Sequence, residues 1–374
     1  MKPLKEKVVI AMSGGVDSSV AAALAKEEGY EVVGVTMKLL PACDPAFGCC
    51  GSPEDLAVAK RAAEKIGIPH YVLDFSPDFE KDVINYFVDS YIHGETPNPC
   101  IACNRHIKFE KLAQFAQSLN ALYLATGHYA RIVSKNWNGK IAFHLFEASD
   151  KSKDQSYVLY NLNQNNLSRT LFPLADLKKT EVRSLAKKLG LPNFDKKDSQ
   201  EICFIPGKDY VPFVLNKLKG KGKDINTVNP GPILDSSGQK IGEHRGVSFY
   251  TIGQRKGLGL TVPEPVYVVD LIAETNTIVV GPEMENFAGG LIAGDINWVL
   301  GAPPDTQFSA EVKIRYKHEP AKATVSVNAE TVEVCFEEPQ RSVTPGQSAV
   351  FYRWNEKLKC REVIGGGKII KKEK

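Results

Sequence analysis

The chain has 374 residues, 43% hydrophobic and 24% charged, the make-up of a globular protein of two or three domains. Its apolar runs fall far short of the roughly 20 residues a membrane helix needs, and no early segment has a signal-peptide core; a cytoplasmic protein without membrane association is expected. A net charge of +3 is too small to demand a polyanionic partner, and eight cysteines in such a chain point to chemistry or metal rather than structural disulfides.

The first expected strand, Lys7-Val8-Val9-Ile10-Ala11-Met12, runs into Ser13-Gly14-Gly15-Val16-Asp17-Ser18-Ser19 and then the helical Val20-Ala21-Ala22-Ala23-Leu24-Ala25. A glycine-rich loop between strand and helix cradles an anion, because the backbone can approach closely and first-turn N–H groups point at it. The lysine of a G-x-x-x-x-G-K-[ST] loop is missing here, and the helix opens with Asp17 and Ser18. A carboxylate beside a polyphosphate makes sense with Mg²⁺ between them. The plain alternative is a helix merely capped by Ser and Asp.

Further along, residues 31–37, 70–75 and 122–126 read as buried strands, and 53–66, 78–92 and 109–119 as helices. Ser52 is the expected N-cap of the first of these, with Pro53 in its first position. The alternation predicts an α/β fold, a doubly wound parallel sheet with ligands at the carboxyl ends of its strands. The Ser13 loop and Gly127-His128 both fall at such ends.

After about residue 205, short alternating runs separated by Gly, Pro and Asn predict β-rich structure, a barrel or a sandwich. The expected division is a catalytic domain over 1–205, a central β-rich domain over 206–286 and a C-terminal β-barrel over 287–374. Strands are expected at 266–269, 277–280, 311–316 and 348–352, with a last short strand and a frayed end from Gly365. Cys335 and Cys360 lie in β-like runs and read as packing. The lysines of 217–223 either serve phosphates or are simply solvated.

Two cysteine-bearing loops remain. In Thr96-Pro97-Asn98-Pro99-Cys100-Ile101-Ala102-Cys103-Asn104 the prolines argue against helix, and a helix from Asn104 would place Cys103 at its N-terminus, where the macrodipole favours thiolate. The other is Asp198-Ser199-Gln200-Glu201-Ile202-Cys203-Phe204-Ile205. Neither reads as core; the Ser13 run resembles the SGGxDS loop of the PP-loop ATP pyrophosphatases, and an ATP-activating loop with reactive cysteines suggests sulfur transfer.

The Ser13 loop, the Asn98…Asn104 loop, Thr126-Gly127-His128-Tyr129-Ala130-Arg131, Asp154-Gln155-Ser156-Tyr157 and Ser199 to Ile205 form an ordered set of motifs. Over essentially the whole chain, down to Arg315-Tyr316 and Pro345-Gly346-Gln347, they resemble the tRNA-specific 2-thiouridylase family of PP-loop ATP pyrophosphatases. The resemblance implies that ATP, with Mg²⁺, adenylates the C2 oxygen of the wobble uridine in the tRNA anticodon arm, and sulfur then displaces AMP. It implies a Cys203 persulfide loaded by a cysteine desulfurase relay, and Cys103 as the second catalytic thiol, able to end in a disulfide with Cys203. By the same matching Ala11, Met12, Ser13, Gly14, Gly15, Val16, Asp17, Ser18, Met37 and Gly127 hold ATP. His128, Lys153, Asp154, Gln155, Arg315, Tyr316 and Gln347 contact tRNA, and the protein acts as a monomer. For Met37, core packing is an equal alternative, and Gln347 after Pro-Gly reads equally as a turn residue.

One departure matters. Many members of that family carry Asp where this chain has Cys100. Cys100, Cys103 and Cys203 could together hold a [4Fe–4S] cluster with one open iron presenting hydrosulfide, an alternative to the persulfide. Cys43, Cys49 and Cys50 have no role derivable from the sequence.

Overall fold

The computed structural model describes residues 5–40, 52–137, 139–198, 202–205, 207, 209–219 and 225–373. Cys43, Cys49, Cys50, Ser199, Gln200, Glu201, Lys221 and Lys223 lie outside them.

Five strands make the first sheet: β1 (Lys7–Ala11), β2 (Glu31–Lys38), β3 (His70–Asp74), β4 (Tyr123–Ala125) and, after a hairpin of β5 (Ala130–Trp137) and β6 (Lys140–Glu147), β7 (Thr170–Leu171). Their order is β3-β2-β1-β4-β7 and every pairing is parallel. Successive strand residues face opposite sides. Val8, Ile10 and Met12 therefore pack with helices α1 (Val16–Glu27), α2 (Pro53–Ile66) and Lys179–Lys188, while Val9 and Ala11 pack with the helices over 76–92 and 99–118. Both faces are covered, as the sequence predicts. Ser52 caps α2 by accepting from the Asp55 N–H at 3.1 Å.

Three details differ from expectation. β3 is an edge strand, with Tyr71 and Val72 exposed rather than buried, because it pairs only with β2. The helix over 76–92 contains a π segment, Glu80–Ile84. The helix expected to start near Asn104 starts at Pro99, with Asn98 as its cap; proline suits the first helical position, whose N–H needs no partner. That helix passes through a long π segment, Cys103–Lys111, before ending at Ser118. The hairpin β5–β6, which has no assignment from the sequence, lies outside the parallel sheet altogether.

The central domain holds β8 (Gly231–Leu234), β9 (Lys240–His244), β10 (Tyr267–Ile272) and β11 (Thr277–Gly281), in the order β10-β11-β8-β9. The helix Val211–Lys219 precedes it and packs towards both the core of the parallel-sheet domain and this sheet. Its Lys217 is paired with Glu80 at 2.6 Å, so it is not a merely solvated charge.

The last six strands are β12 (Phe287–Trp298), β13 (Gln307–Lys313), β14 (Ala321–Val327), β15 (Val332–Arg341), β16 (Ser348–Asn355) and β17 (Cys360–Glu373). They run β12-β15-β14-β13-β16-β17, and pairing of β12 with β17 closes the barrel. The expected short, frayed tail is instead a 14-residue strand, since it has partners on both sides and a third in β6. Through that last pairing the hairpin joins the barrel to the parallel-sheet domain, with His144 Nδ1 and Glu362 Oε1 buried 2.6 Å apart at the seam. Cys360 is buried, but Cys335 faces outward on β15, against its packing assignment, because it alternates with the inward Val332, Val334 and Phe336. β13 ends at Lys313, so Arg315 and Tyr316 lie in the following turn rather than on opposite faces of a strand.

Candidate nucleotide and thiol site

The Ser13 loop leaves the carboxyl end of β1, held to β2 by Met12 N–H donating to Val35 O at 2.8 Å. Gly14 has φ +73°, and a Cβ there would stand 2.6 Å from the Asp55 carbonyl oxygen, so only glycine fits. Gly15 is the N-cap residue of α1 and brings no side chain to bond its first turn. Ser18 closes the loop on itself: its Oγ accepts from Ser13 N–H at 3.2 Å and donates to Gly15 O at 3.0 Å. Gly127, after β4, lies flat on the start of α1, where a Cβ would be 2.8 Å from Ser18 N. Ala11 to Ser18 and Gly127 are thus brought together. Met37 sits one strand over, its side chain packed in the core cluster beneath.

A lysine does reach this loop, from elsewhere in the chain. Lys179, 9% exposed at the start of its helix, donates to both carboxylate oxygens of Asp17 at 2.7 Å and lies 2.8 Å from Asp198. The Tyr129 hydroxyl donates to Asp17 Oδ1 at 2.8 Å; burial and the neighbouring Asp17 charge push its pKa up. Asp198 also takes Lys153 at 2.7 Å and Arg183 at 3.0 Å. Partial burial opposes its charge, yet the Lys153 and Lys179 ammonium groups hold its carboxyl down at about 2. Asn193 donates to Gly14 O and Ser19 Oγ, both at 3.0 Å, and Lys196 pairs with Asp55. Lys153, Lys179, Arg183 and Lys196 meet Asp17, Asp55 and Asp198, with Asp150 close by, a ring of paired charge around a loop shaped for an anion. Lys179, Arg183, Asn193 and Lys196 carry no motif spacing; only topology brings them to Asp17 and to Asp198, which opens the second cysteine-bearing loop.

The cysteine helix is positioned just as firmly. Asn98 Oδ1 accepts from the N–H groups of Cys100 and Ile101 at 3.2 and 3.4 Å. Cys100 is exposed in the first turn, whereas Cys103 lies a turn further in, 9% exposed within the hydrophobic cluster. The earlier helix start thus moves Cys103 off the N-terminus and into the core. Asn104 donates to Val158 O at 2.8 Å and fixes the helix from the other side. Cys203 is partly exposed and packs against the cluster that contains Cys103. Its neighbour Phe204 anchors it, edge-on to Phe79 at 5.6 Å and Phe87 at 5.2 Å.

The remaining named residues divide into exposed and buried sets. His128 is 8% exposed between Phe109 and Phe172, with Nδ1 2.8 Å from Thr126 Oγ1; burial, then Lys108, lowers its pKa well below the usual value. Asp154 is buried, accepting from Ala148 N–H at 2.9 Å and Ser156 Oγ at 2.7 Å, and burial pushes its pKa up to about 6. Gln155 accepts from Tyr129 N–H at 3.0 Å. Gln347 donates to Thr96 O at 2.9 Å and Pro97 O at 3.3 Å, directly before the cysteine helix. Tyr316, partly exposed, stands 6.2 Å from Tyr157; burial and then the Asp154 and Cys100 charges raise its pKa. Arg315 donates to Arg341 O at 3.0 Å.

Among the described residues no three His, Cys, Asp or Glu side chains are gathered as a metal-holding group. Cys100, Cys103 and Cys203 do not fit a [4Fe–4S] cluster in this arrangement, one exposed and another turned into the core. Among the same residues no helix is long and apolar enough to cross a membrane.

Residues 6–207 match the model of the tRNA methyl transferase HUP domain, 223–282 that of the tRNA methyl transferase PRC-barrel domain, and 288–369 that of the aminomethyltransferase β-barrel domain. The chain is 48% identical over 377 residues to the tRNA-specific 2-thiouridylase MnmA of Carboxydothermus hydrogenoformans, covering 98% of each. It is 47% identical to the MnmA proteins of Clostridium perfringens, covering 98% of each, and of Geobacter metallireducens, covering 98% of this chain and 97% of that one. A phosphate loop, a cysteine helix and a closing barrel in this order, at such identity end to end, place the chain in the MnmA family of tRNA-specific 2-thiouridylases.

Proposed function

We propose that this protein uses ATP to convert the wobble uridine of tRNA to 2-thiouridine. The observation that carries the reading is the end-to-end likeness to the 2-thiouridylases, together with a lysine-ringed phosphate loop on the domain that holds the cysteines. ATP lies on Ala11 to Ser18, Met37 and Gly127, and Asp17 is the carboxylate that suits the Mg²⁺ accompanying it. The uridine O2 attacks the α-phosphorus, pyrophosphate leaves, and Lys179 balances its charge. The terminal sulfur of a Cys203 persulfide then attacks C2 and AMP departs. Cys103 thiolate attacks the Cys203 sulfur, which frees the thiouridine and leaves a Cys103–Cys203 disulfide for an external thiol to reduce.

A persulfide donor protein served by a cysteine desulfurase supplies the sulfur. Lys153, Arg315 and Tyr316 face the anticodon arm, while His128, Asp154, Gln155 and Gln347 hold the loops that do so. The protein works as a monomer. The test is nucleoside mass spectrometry of tRNA incubated with the protein, ATP, Mg²⁺ and a persulfide donor. Appearance of 2-thiouridine only with ATP supports the reading; unmodified tRNA with wild-type protein overturns it.

A further inference from the structure

Residues 251–260, Thr-Ile-Gly-Gln-Arg-Lys-Gly-Leu-Gly-Leu, form the loop that leads towards β10 in the central domain. The loop is firmly buttressed. Gln254 accepts from Thr251 N–H at 3.2 Å and donates to Lys256 O at 3.0 Å. Gly253 N–H donates to Val268 O at 2.8 Å, and Val268 N–H donates back to Gln254 O at 2.9 Å. Leu258 is buried in the cluster of the central sheet. Gly253 has φ +86° and fits against Ser342 of the barrel, where a Cβ would stand 2.3 Å from its Oγ.

The outcome is two adjacent cations, Arg255 and Lys256, both exposed and neither paired with a carboxylate among the described residues. The root of the loop touches the cysteine segment, Thr96 Oγ1 donating to Thr251 Oγ1 at 3.4 Å, four residues before Cys100. Catalytic domain, central sheet and barrel meet there. Two exposed cations side by side on a firmly anchored loop make a local concentration of positive charge suited to an anion.

We infer that Arg255 and Lys256 clamp the RNA phosphodiester backbone beside the nucleotide presented to the cysteines, by charge and without reading bases. The inference rests on the 2-thiouridylase reading and adds a binding element to it. Two bound phosphates release counterions, so the clamp has a measurable salt signature.

The experiment measures binding of unmodified tRNA by fluorescence anisotropy between about 50 and about 200 mM KCl. R255A/K256A is expected to weaken binding about tenfold or more at the lower salt and to reduce the slope of log K against log[salt] by about 1.4–1.8. The charge-preserving swap R255K/K256R is expected to keep the slope. Binding of an ATP analogue and the melting temperature serve as folding controls. An unchanged slope in R255A/K256A overturns the clamp, as does equal loss in the swap. Intact RNA binding with impaired sulfur uptake from a donor protein would also overturn it, assigning the loop to a protein partner instead. Failure of wild type to form 2-thiouridine counts against the parent reading; normal thiolation with an unchanged slope counts against the clamp alone.

Discussion

Lys179 holds its ammonium 2.7 Å from each carboxylate oxygen of Asp17, across 162 residues of sequence. The same ammonium lies 2.8 Å from Asp198, so one cation separates two carboxylates at the mouth of the phosphate loop. Without it they face each other, and Asp17 keeps only the Tyr129 hydroxyl. Lys179→Met should therefore lower stability by about 1–3 kcal/mol, the usual cost of stranding a part-buried charge. It should also slow ATP-dependent pyrophosphate release about 100-fold or more, because charge on the leaving phosphate loses its partner. Urea unfolding and a pyrophosphate assay with tRNA check the two effects separately. Normal turnover in a folded Lys179→Met protein would remove Lys179 from the chemistry.

Gln347 ties the barrel to the cysteine segment through two carbonyls, and Thr96 N–H returns a bond to Pro345 O at 2.9 Å. Gln347→Ala is expected to cost about 1–2 kcal/mol. The loss should be local, with faster amide exchange over 95–104 and little change in the parallel sheet. Gly346→Ala should be worse, since its Cβ would come 2.8 Å from Thr96 N at φ +90°. Unaltered exchange at 95–104 in both variants would show that the turn does not position the helix.

Asp154 sets a pH dependence of defined sign. Burial raises its folded-state pKa from 3.8 to about 6, so between these values the native state binds a proton that the unfolded chain does not. Its contribution to stability is fully present below the unfolded value and is lost as pH rises through about 6. Across that window wild type should lose on the order of 2–3 kcal/mol relative to Asp154→Asn, which has no such proton. Urea midpoints of both proteins at about pH 4.5 and about pH 7.5 measure the difference. His318 gives the opposite slope: burial, then Arg315, lowers its pKa to about 4, so its contribution is lost as pH falls through that value. Comparison with the Asn variant removes this background.

Much of this arrangement is legible in sequence because it is local. Val8 to Met12 alternates between two apolar faces, which only a sheet covered on both sides accommodates. The strand–glycine–helix order likewise announces an anion cradle before any fold is known. Pro99 misleads because proline both breaks helices and starts them; with Asn98 before it, the second meaning wins. The cluster of Lys179, Arg183, Asn193 and Lys196 is illegible because strand order, not spacing, carries it to Asp17 and Asp198. The hairpin Ala130 to Glu147 is hidden for a similar reason: its partner strand lies more than 200 residues away, as the His144–Glu362 separation of 218 shows.

Cys100 offers the sharpest division between sulfur routes. It sits in the first turn of its helix, exposed, with its N–H already bonded to Asn98. A carboxylate there meets the positive end of the helix dipole and solvent, so Cys100→Asp should fold normally and gain about 0.3–1 kcal/mol. If sulfur travels on Cys203, the variant should still form 2-thiouridine from a persulfide donor at near wild-type yield. Cys103→Ser and Cys203→Ser should each abolish it. Alkylation gives an independent reading of the same geometry: iodoacetamide should label Cys100 well before the buried Cys103, whose approach requires local opening of the helix. Loss of product in Cys100→Asp, with ATP turnover intact, would show that the third thiol is needed and that the persulfide route is incomplete without it.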